Sequence, residues 1–163
     1  MELEISLVEL AIPAGLNVIA GQAHFIKTVE DIHEAVANAI PGGGFGLAFN
    51  EASGPRLVRQ SGTSPELVEV ATREALRVGA GHFFLLVLAE GIYPLQVIPA
   101  LRSVPELVTL YAATANPLGL VIASYGESRG VIGVLDGWSP LGVEGPEEIS
   151  ERKSLLRNLG YKL

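Results

Sequence analysis

The sequence has no cysteine, only two aspartates and only three lysines among its 163 residues. The absence of cysteine excludes disulfides, thiolate metal sites and a cysteine nucleophile. The formal net charge is −7 and no basic stripe exists, which argues against nucleic-acid or anionic-membrane partners. Because aspartate is so scarce and the three histidines are far apart, we expect no dedicated metal cage.

Charged residues are also scarce, at 18%, whereas hydrophobic residues make up 48% of the chain. A chain of this length suits one domain, and we assign residues 1–163 to it. A small domain has difficulty hiding so much apolar surface alone. We therefore expect a homo-oligomer that buries the excess, and a trimer is one state that fits.

Neither of two segments that bear on targeting predicts a membrane or secreted protein. The N-terminus is acidic over Met1–Glu4 and lacks the basic start of a secretory signal. Residues 107–126 carry no charge and are long enough to span a bilayer. However, Asn116-Pro117 lies in the middle and predicts a turn between two buried strands. The expected location is the cytoplasm.

Strands and helices alternate along most of the chain. Apolar periodicity predicts helices near 28–40, 65–78, 94–102 and 147–158, and strands near 3–10, 17–23, 45–49, 56–60, 82–88, 107–113, 119–124 and 131–135. Glycines 42–44 follow the first helix, so they are interpreted as its C-terminal cap rather than as a phosphate loop. The pattern predicts a single layered domain of the α/β class. Because the last three strands lack long intervening helices, a mixed sheet is expected.

The segment from Gly21 to Asp31, which includes Gln22, is the first candidate site. It puts His24 and Lys27 between a strand end and a predicted helix start at Thr28, where free amides favour an anion. His24 could accept a phosphoryl group or act as a base, and Lys27 could neutralise phosphate charge. The alternative is that the imidazole only bonds a backbone carbonyl.

A second polar segment, residues 51–59, follows a buried strand. Glu51 could orient a histidine or take a ribose hydroxyl, and Arg56 or Arg59 could grip phosphate. Ser53 lies in the same loop. An ordinary polar hairpin explains these residues equally well.

Two further loops offer ligand groups. Asn116 could read an adenine edge, although an Asx turn is the favoured explanation. Asp136 could bind ribose or simply close a turn. His33 is expected on a solvated helix face, and His82 as a structural histidine at the start of a buried strand.

Taken together, five segments resemble the adenosine-specific kinase family of archaea and some bacteria. They are GQAHFIKTVED at 21–31, FGLAFNEASG at 45–54, GHFF at 81–84, ATANPL at 113–118 and GVIGVLDG at 130–137. The chain departs from the family pattern at Asn50, where a cysteine is expected, and near Ser64, where an acidic residue is expected.

The resemblance implies a single compact three-layer α/β/α-type domain, binding of adenosine or its monophosphate (AMP) and a histidine that carries a phosphoryl group, a role carried over to His24. His24 with Glu51 would be catalytic, while the substrate-binding set would be Gln22, Lys27, Ser53, Arg56, Asn116 and Asp136. The phosphoryl donor and the direction of transfer stay open, as does Mg²⁺ as a cofactor. The rival interpretation is an adenosine or AMP sensor without turnover, and the third is an oligomeric scaffold.

Overall fold

The computed structural model describes residues 1–163 as eight strands and four helices. The strands are β1 (Glu4–Glu9), β2 (Asn17–Ala23), β3 (Phe45–Asn50), β4 (Val58–Gly62), β5 (Phe83–Leu88), β6 (Leu107–Thr114), β7 (Leu118–Tyr125) and β8 (Ser128–Asp136). The helices are α1 (Thr28–Ala39), α2 (Pro65–Val78), α3 (Pro94–Arg102) and α4 (Pro146–Asn158). None of the helices has the length and apolar character that crossing a bilayer requires.

The larger sheet has five strands in the order β4-β3-β5-β2-β6, and every neighbouring pair is antiparallel. The prediction of a mixed sheet is therefore wrong. Each of α1, α2 and α3 connects two strands that run in the same direction, as the alternation of helix and strand suggested. However, the two strands joined by each helix are not neighbours in the sheet, because one antiparallel strand lies between them.

The smaller sheet has the order β1-β7-β8 and is also antiparallel. β6 and β7 belong to different sheets, and the turn around Asn116 joins them. The uncharged segment 107–126 is thus two strands with a turn, as the Asn-Pro dipeptide predicted.

Both faces of the five-stranded sheet are covered by apolar residues. On one face Ile19, Leu47 and Leu86 pack against α1 and α3. On the other face Val18, Ala48 and Leu85 pack against α2 and against β7 of the smaller sheet. The alternation of neighbouring residues between the two clusters follows from the two-residue period of a strand. The second face is therefore shared by a helix and a sheet.

Glycine sets the distance between α2 and the sheet. A Cβ atom at Gly46 on β3 would lie 2.1 Å from the backbone carbon of Leu67 on α2. Any larger residue would push the helix away from the sheet, and the packing contacts over that face would be lost.

A buried carboxylate ties the N-terminal segment to α2. The side chain of Glu74 is fully buried, accepts the backbone N–H of Ala11 at 3.0 Å and contacts Arg73 and Arg77. Burial alone would raise the pKa of Glu74, but these hydrogen bonds and charges outweigh it and lower the pKa. This pairing stabilises the fold at neutral pH.

The strand directions sort the loops between the two ends of the five-stranded sheet. One end, here called the His24 end, collects the segments after β2 and β3 and those before β4, β5 and β6. The other, the Asn116 end, holds the turn after β6. β2 has seven residues, so the two ends lie about 20 Å apart at roughly 3.3 Å per residue.

Candidate functional site

His24 follows β2 directly and is the most accessible of the three histidines. Its backbone N–H donates to the Glu106 carbonyl at 2.7 Å, which fixes the position of the residue at the sheet end. Its side chain is exposed, and only His33 hydrogen-bonds through its ring, to Ser61 Oγ at 2.7 Å. The alternative in which the His24 ring bonds a carbonyl is therefore not seen, and the ring is free to react.

Glu106 holds the loop between His24 and α1. Its Oε2 accepts the Lys27 N–H at 2.8 Å and the Thr28 hydroxyl at 2.9 Å. Burial alone would raise the pKa of Glu106, but the bonds from Thr28, Lys27 and Phe25 and the charge of His24 outweigh it and lower the pKa. A carboxylate therefore sits at the start of α1, where the sequence suggested that a phosphoryl group would bind.

The start of α1 agrees with the predicted helix start at Thr28. Lys27 is the N-cap and Thr28 is the first helical residue, with its side chain buried and bonded to Glu106. The exposed side chain of Lys27 pairs with Asp31 at 3.4 Å, one turn into the helix. Lys27 stays close to His24 in the chain, but its charge is already partly compensated.

Gln22 lies on β2 and faces the side of the sheet that packs against α2. Its Oε1 accepts the hydroxyl of Tyr111 at 3.4 Å, and burial raises the pKa of Tyr111. Within a single chain Gln22 is thus half-buried between strands, with a protein partner for its amide.

Four planar side chains stack beside His24. The Arg59 guanidinium lies 4.5 Å from the centroid of the Phe25 ring. The Phe25 ring stacks on His82 at 6.1 Å, and His82 stacks in turn on Phe49 at 5.8 Å. Cation–π and offset aromatic contacts of this kind hold side chains in fixed orientations. The stack is a rigid wall next to the His24 loop.

His82 has an unusual backbone conformation at the centre of this stack. Its φ is 59°, in the left-handed region that non-glycine residues rarely adopt. Its N–H donates to the Asn50 carbonyl at 2.9 Å, and its carbonyl accepts the Ala23 N–H at 3.0 Å. The residue thus links the ends of β2 and β3. It has the structural role that the sequence suggested, but it does so within the candidate site.

Glu51 is bound to other protein groups rather than to a histidine. One oxygen accepts the Leu57 N–H at 3.0 Å and the other accepts Arg59 Nε at 2.7 Å. The Leu57 N–H and then the Arg59 guanidinium lower the pKa of Glu51. Glu51 reaches the His24 loop only through Arg59, whose other contact is the Phe25 carbonyl at 3.4 Å.

A cavity of about 570 Å³ opens on the α2 side of the His24 end. Glu51, Arg56 and Arg129 line it together with parts of α2 and of the turn between β7 and β8. Arg56 pairs with Glu127 at 3.3 Å, and both side chains are exposed. Ser53 is exposed in the same loop, and its carbonyl accepts the Arg56 N–H at 3.3 Å.

Arg129 and Asn50 bring unpaired polar atoms to this cavity. Nε of Arg129 and Oδ1 of Asn50 are buried without a hydrogen-bond partner, and Arg129 forms none of the ion pairs seen in the chain. Asn50 Nδ2 donates to the carbonyls of Ala75 and Ala80 at 2.8 and 3.0 Å. Rotating the side-chain amide by 180° would place Oδ1 against these two carbonyl oxygens, so Oδ1 stays on the unpaired side. An unpaired guanidinium suits an anionic ligand.

Asn116 and Asp136 lie together, but at the Asn116 end. The Asn116 N–H donates to the Thr114 hydroxyl at 2.9 Å, so a threonine, not the asparagine, closes this turn. Asp136 is the last residue of β8, paired with Leu118. Within one chain these two residues are about a strand length from His24, so the chain does not gather the four predicted loops around one ligand.

The residues that sequence reasoning missed act through the tertiary structure. Glu106 and Arg129 are single charged residues outside any motif, and Asn50 ends an otherwise apolar strand. Glu106 reaches the site because β6, which it precedes, pairs with β2. Arg129 reaches it because the turn between β7 and β8 lies beside the end of α2. His82 does carry a local signal, because it directly precedes the buried strand β5.

Other possible sites are few. No three His, Asp or Glu side chains converge closely enough to hold a metal ion. Any Mg²⁺ would therefore depend on oxygen atoms of a bound phosphate for most of its ligands. His33 is half-buried with its ring bonded to Ser61 and edge-on to Phe45, so the expectation of a solvated His33 is wrong.

Comparison with known proteins gives two similarities. The family model described as adenosine specific kinase matches residues 8–162. The crystal structure of the PH1918 protein from Pyrococcus horikoshii OT3 superposes with a TM-score of 0.93 at 37% identity, and the match covers 99% of each chain. No curated protein matches this chain.

Proposed function

Since the chain belongs to the adenosine-specific kinase family, we propose that it binds adenosine or AMP at the His24 end. We further propose that it transfers a phosphoryl group through His24, in the cytoplasm. The observation that carries this proposal is the exposed, unpaired ring of His24, held at a sheet end by the bond from its amide to the Glu106 carbonyl.

The proposed reaction has two steps. A ring nitrogen of His24 donates its lone pair to phosphorus, and the bond from phosphorus to the oxygen of the donor breaks. The 5′-hydroxyl of adenosine then attacks the phosphorus and gives its proton to water, and the P–N bond breaks with its electron pair returning to the imidazole nitrogen. The reverse sequence would phosphorylate His24 from AMP, and both directions use the same groups.

The charges of the site favour the cavity, rather than the start of α1, as the place for the phosphate. Glu106 already fills the start of α1 with negative charge. Arg129 is unpaired, and Arg56 has only an exposed partner. β2 and β3 are separated by one strand, so His24 and Asn50 lie about 10 Å apart across the sheet. For transfer the phosphorus must come within bonding distance of a His24 ring nitrogen, so Arg129 and Arg56 are proposed to hold the phosphate when the ligand first binds, before the phosphate moves to His24.

Within this scheme Glu51 has an indirect role. Because both of its oxygens already have donors, it positions Arg59 and through it the Phe25 side of the His24 loop. Ser53 and Arg56, on the exposed rim of the cavity, are proposed as ligand contacts. Lys27 is proposed to add positive charge beside His24 when Asp31 releases it.

The test is the mass of the intact protein after incubation with ATP, pyrophosphate or AMP. We expect a gain of one phosphate that mild acid removes, mapped to the peptide that contains His24. H24Q should abolish the gain, whereas H33Q, in which a bonded histidine is changed, should retain it. The proposal would be falsified if no donor gave an acid-labile phosphate, or if the label stayed in H24Q.

A sensor without turnover is the second candidate. The carboxylate of Glu106 at the start of α1 favours it, because kinases normally surround the transferred group with donors and cations. Calorimetry with H24A separates the two functions. A sensor should bind adenosine with nearly unchanged affinity and show no phosphoryl transfer in the wild type either.

We also propose that the chain functions as a homo-oligomer, for which a trimer is one candidate. The support is the apolar outer surface of the smaller sheet, where Ile5, Leu7, Ile132 and Leu135 are exposed. Static light scattering at several protein concentrations measures the assembly. A mass of one chain at all concentrations would rule it out.

A further inference from the structure

The C-terminal segment, residues 138–163, extends from β8 without packing on the rest of the chain. It contains α4, of which no residue is buried. Most of its large apolar side chains are exposed, among them Trp138 at 80% and Leu155 at 56%. The other exposed ones are Leu141, Val143, Leu159, Tyr161 and Leu163. This segment is called the arm below. So many large apolar side chains on one segment need a partner surface.

The same chain has a second uncovered apolar surface, the outer face of the β1-β7-β8 sheet. Leu7 pairs with Val121, and Val121 pairs with Gly133 on β8. A Cβ atom at Gly119 would contact both Leu7 and Leu135, which shows that these side chains share the face. The face consists of Ile5, Leu7, Gly119, Val121, Ala123, Ile132, Gly133 and Leu135. Glu9, whose partner on β7 is Gly119, lies at one end of this face.

The charges around the two surfaces are complementary. Residues 152–163 hold four cationic side chains and no acidic one. Residues 1–26, which contain the edge strand β1, hold three glutamates and no lysine or arginine. Two of these glutamates, Glu4 and Glu9, are the end residues of β1, beside Ile5 and Leu7. An arm lying across the outer face would bring its basic half close to the acidic strand.

We infer that the arm of one copy docks on the outer face of the β1-β7-β8 sheet of a second copy. This inference rests on the proposed self-association and says which surfaces make it. Each copy supplies one arm and one face. Mutual exchange would give a dimer, and a head-to-tail exchange that closes would give a ring such as a trimer. The arm would then cover the apolar excess that the composition revealed.

Two sets of substitutions test the contact. The face variant is I5K with L7K, and the arm variant is L155K with L159K. Each change affects only exposed side chains, so the fold should persist. The control is L95K, which alters a similarly exposed leucine on α3. In light scattering we expect the wild type and L95K to assemble, while the face and arm variants each run as monomers at the same concentration.

Mixing the two variants gives the decisive result. The face variant keeps an intact arm and the arm variant keeps an intact face, so one productive contact remains. We expect the mixture to form a 1:1 heterodimer. If the arm variant alone stays oligomeric, the faces pair with each other and the inference is wrong. A monomeric wild type, or a mixture that stays monomeric, would also overturn it.

Trp138 provides an independent signal, because it is the only tryptophan in the chain. Its emission should be shifted to the blue in the assembled wild type and should move to the red in the face variant, which leaves the arm itself unchanged. Identical spectra in the two proteins would contradict arm docking. Adenosine binding is measured separately, so the loss of nucleoside binding with intact assembly would count only against the proposed function.

Discussion

The two ends of the five-stranded sheet are built from similar loops but carry different chemistry. At the His24 end lie an exposed imidazole, a stacked row of rings with an arginine, and a cavity with an unpaired guanidinium. At the Asn116 end a smaller cavity of about 350 Å³ is lined mainly by apolar residues of the segment 10–18 and of the turn after β6. Unpaired reactive groups are therefore concentrated at one end.

The difference arises from what the polar groups at each end have as partners. At the Asn116 end, the backbone N–H of Asn116 donates to the Thr114 hydroxyl. The N-terminal segment is held by the hydrogen bond from the Ala11 N–H to the Glu74 carboxylate. At the His24 end, Glu106 and Glu51 also have hydrogen-bond partners, and these bonds hold the loops in place. The side chains of His24 and Arg129, however, have no partner within the chain. Unpaired polar groups near a cavity are costly unless a ligand satisfies them.

The largest effect on ligand affinity is expected for R129M. If Arg129 binds the phosphate, AMP affinity should fall by about tenfold to a hundredfold, since hydrogen bonds to charged groups contribute roughly 1.5–3 kcal/mol. Adenosine, which lacks the phosphate, should bind as tightly as before. Calorimetry with both ligands checks this, and R102M is the matched control for an exposed arginine elsewhere.

Equal losses for adenosine and AMP would contradict a phosphate contact. They would instead indicate that Arg129 only supports the end of α2. That structural role is the natural alternative, since a Cβ atom at the capping residue Gly79 would lie 3.4 Å from Arg129 Nη1. Cations stabilise the C-terminal ends of helices. The comparison of the two ligands separates these roles.

The sequence predicted the elements well because their signals are local. Ser64 and Pro65 are residues that favour a helix start at these positions, and α2 begins at Pro65 as predicted and ends at Val78, before the capping Gly79. The turn at Asn116-Pro117 was marked by its own chemistry. The order of strands has no such marker, and for this reason the insertion of β5 between β2 and β3 was missed and the sheet was expected to be mixed.

The same limit applies to the candidate site. His24 could be predicted as a site residue because it lies between a strand and a helix, inside the specific eleven-residue motif of residues 21–31. The role of Glu106 could not be predicted, because its contact with Thr28 spans 78 residues of sequence. Asn116 and Asp136 were grouped with His24 because all follow strands, but antiparallel neighbours place such loops at opposite ends.

A smaller effect is expected for E106Q, which keeps the shape of the side chain but removes its charge. The His24 loop should be held less firmly, and phosphoryl transfer should fall by roughly tenfold, in line with the cost of misplaced catalytic groups. Single-turnover transfer rates measure this. A gain in AMP affinity would instead show that the start of α1 is the phosphate site and that Glu106 competes with it.

The pH dependence of stability gives a second check on Glu106. The folded protein lowers the pKa of this carboxyl, so its contribution is complete above the ordinary glutamate value of about 4.3. The contribution is lost as the pH falls through the lower, folded value. Denaturant midpoints of the wild type and E106Q should therefore differ at pH 6 and converge in strong acid. A constant difference at all pH values would exclude this carboxylate as the cause.

The smallest effects are expected for N116A and D136N, at the Asn116 end. If a single chain forms the whole site, neither change should alter adenosine affinity by more than about twofold, the range of ordinary surface substitutions. Calorimetry of both variants next to R129M gives the measurement on one scale. A large loss in N116A with a normal denaturant midpoint would mean that the Asn116 end of a second copy meets the His24 end of the first. The contrast between the two ends would then hold for the isolated chain only, and the ligand would lie between subunits.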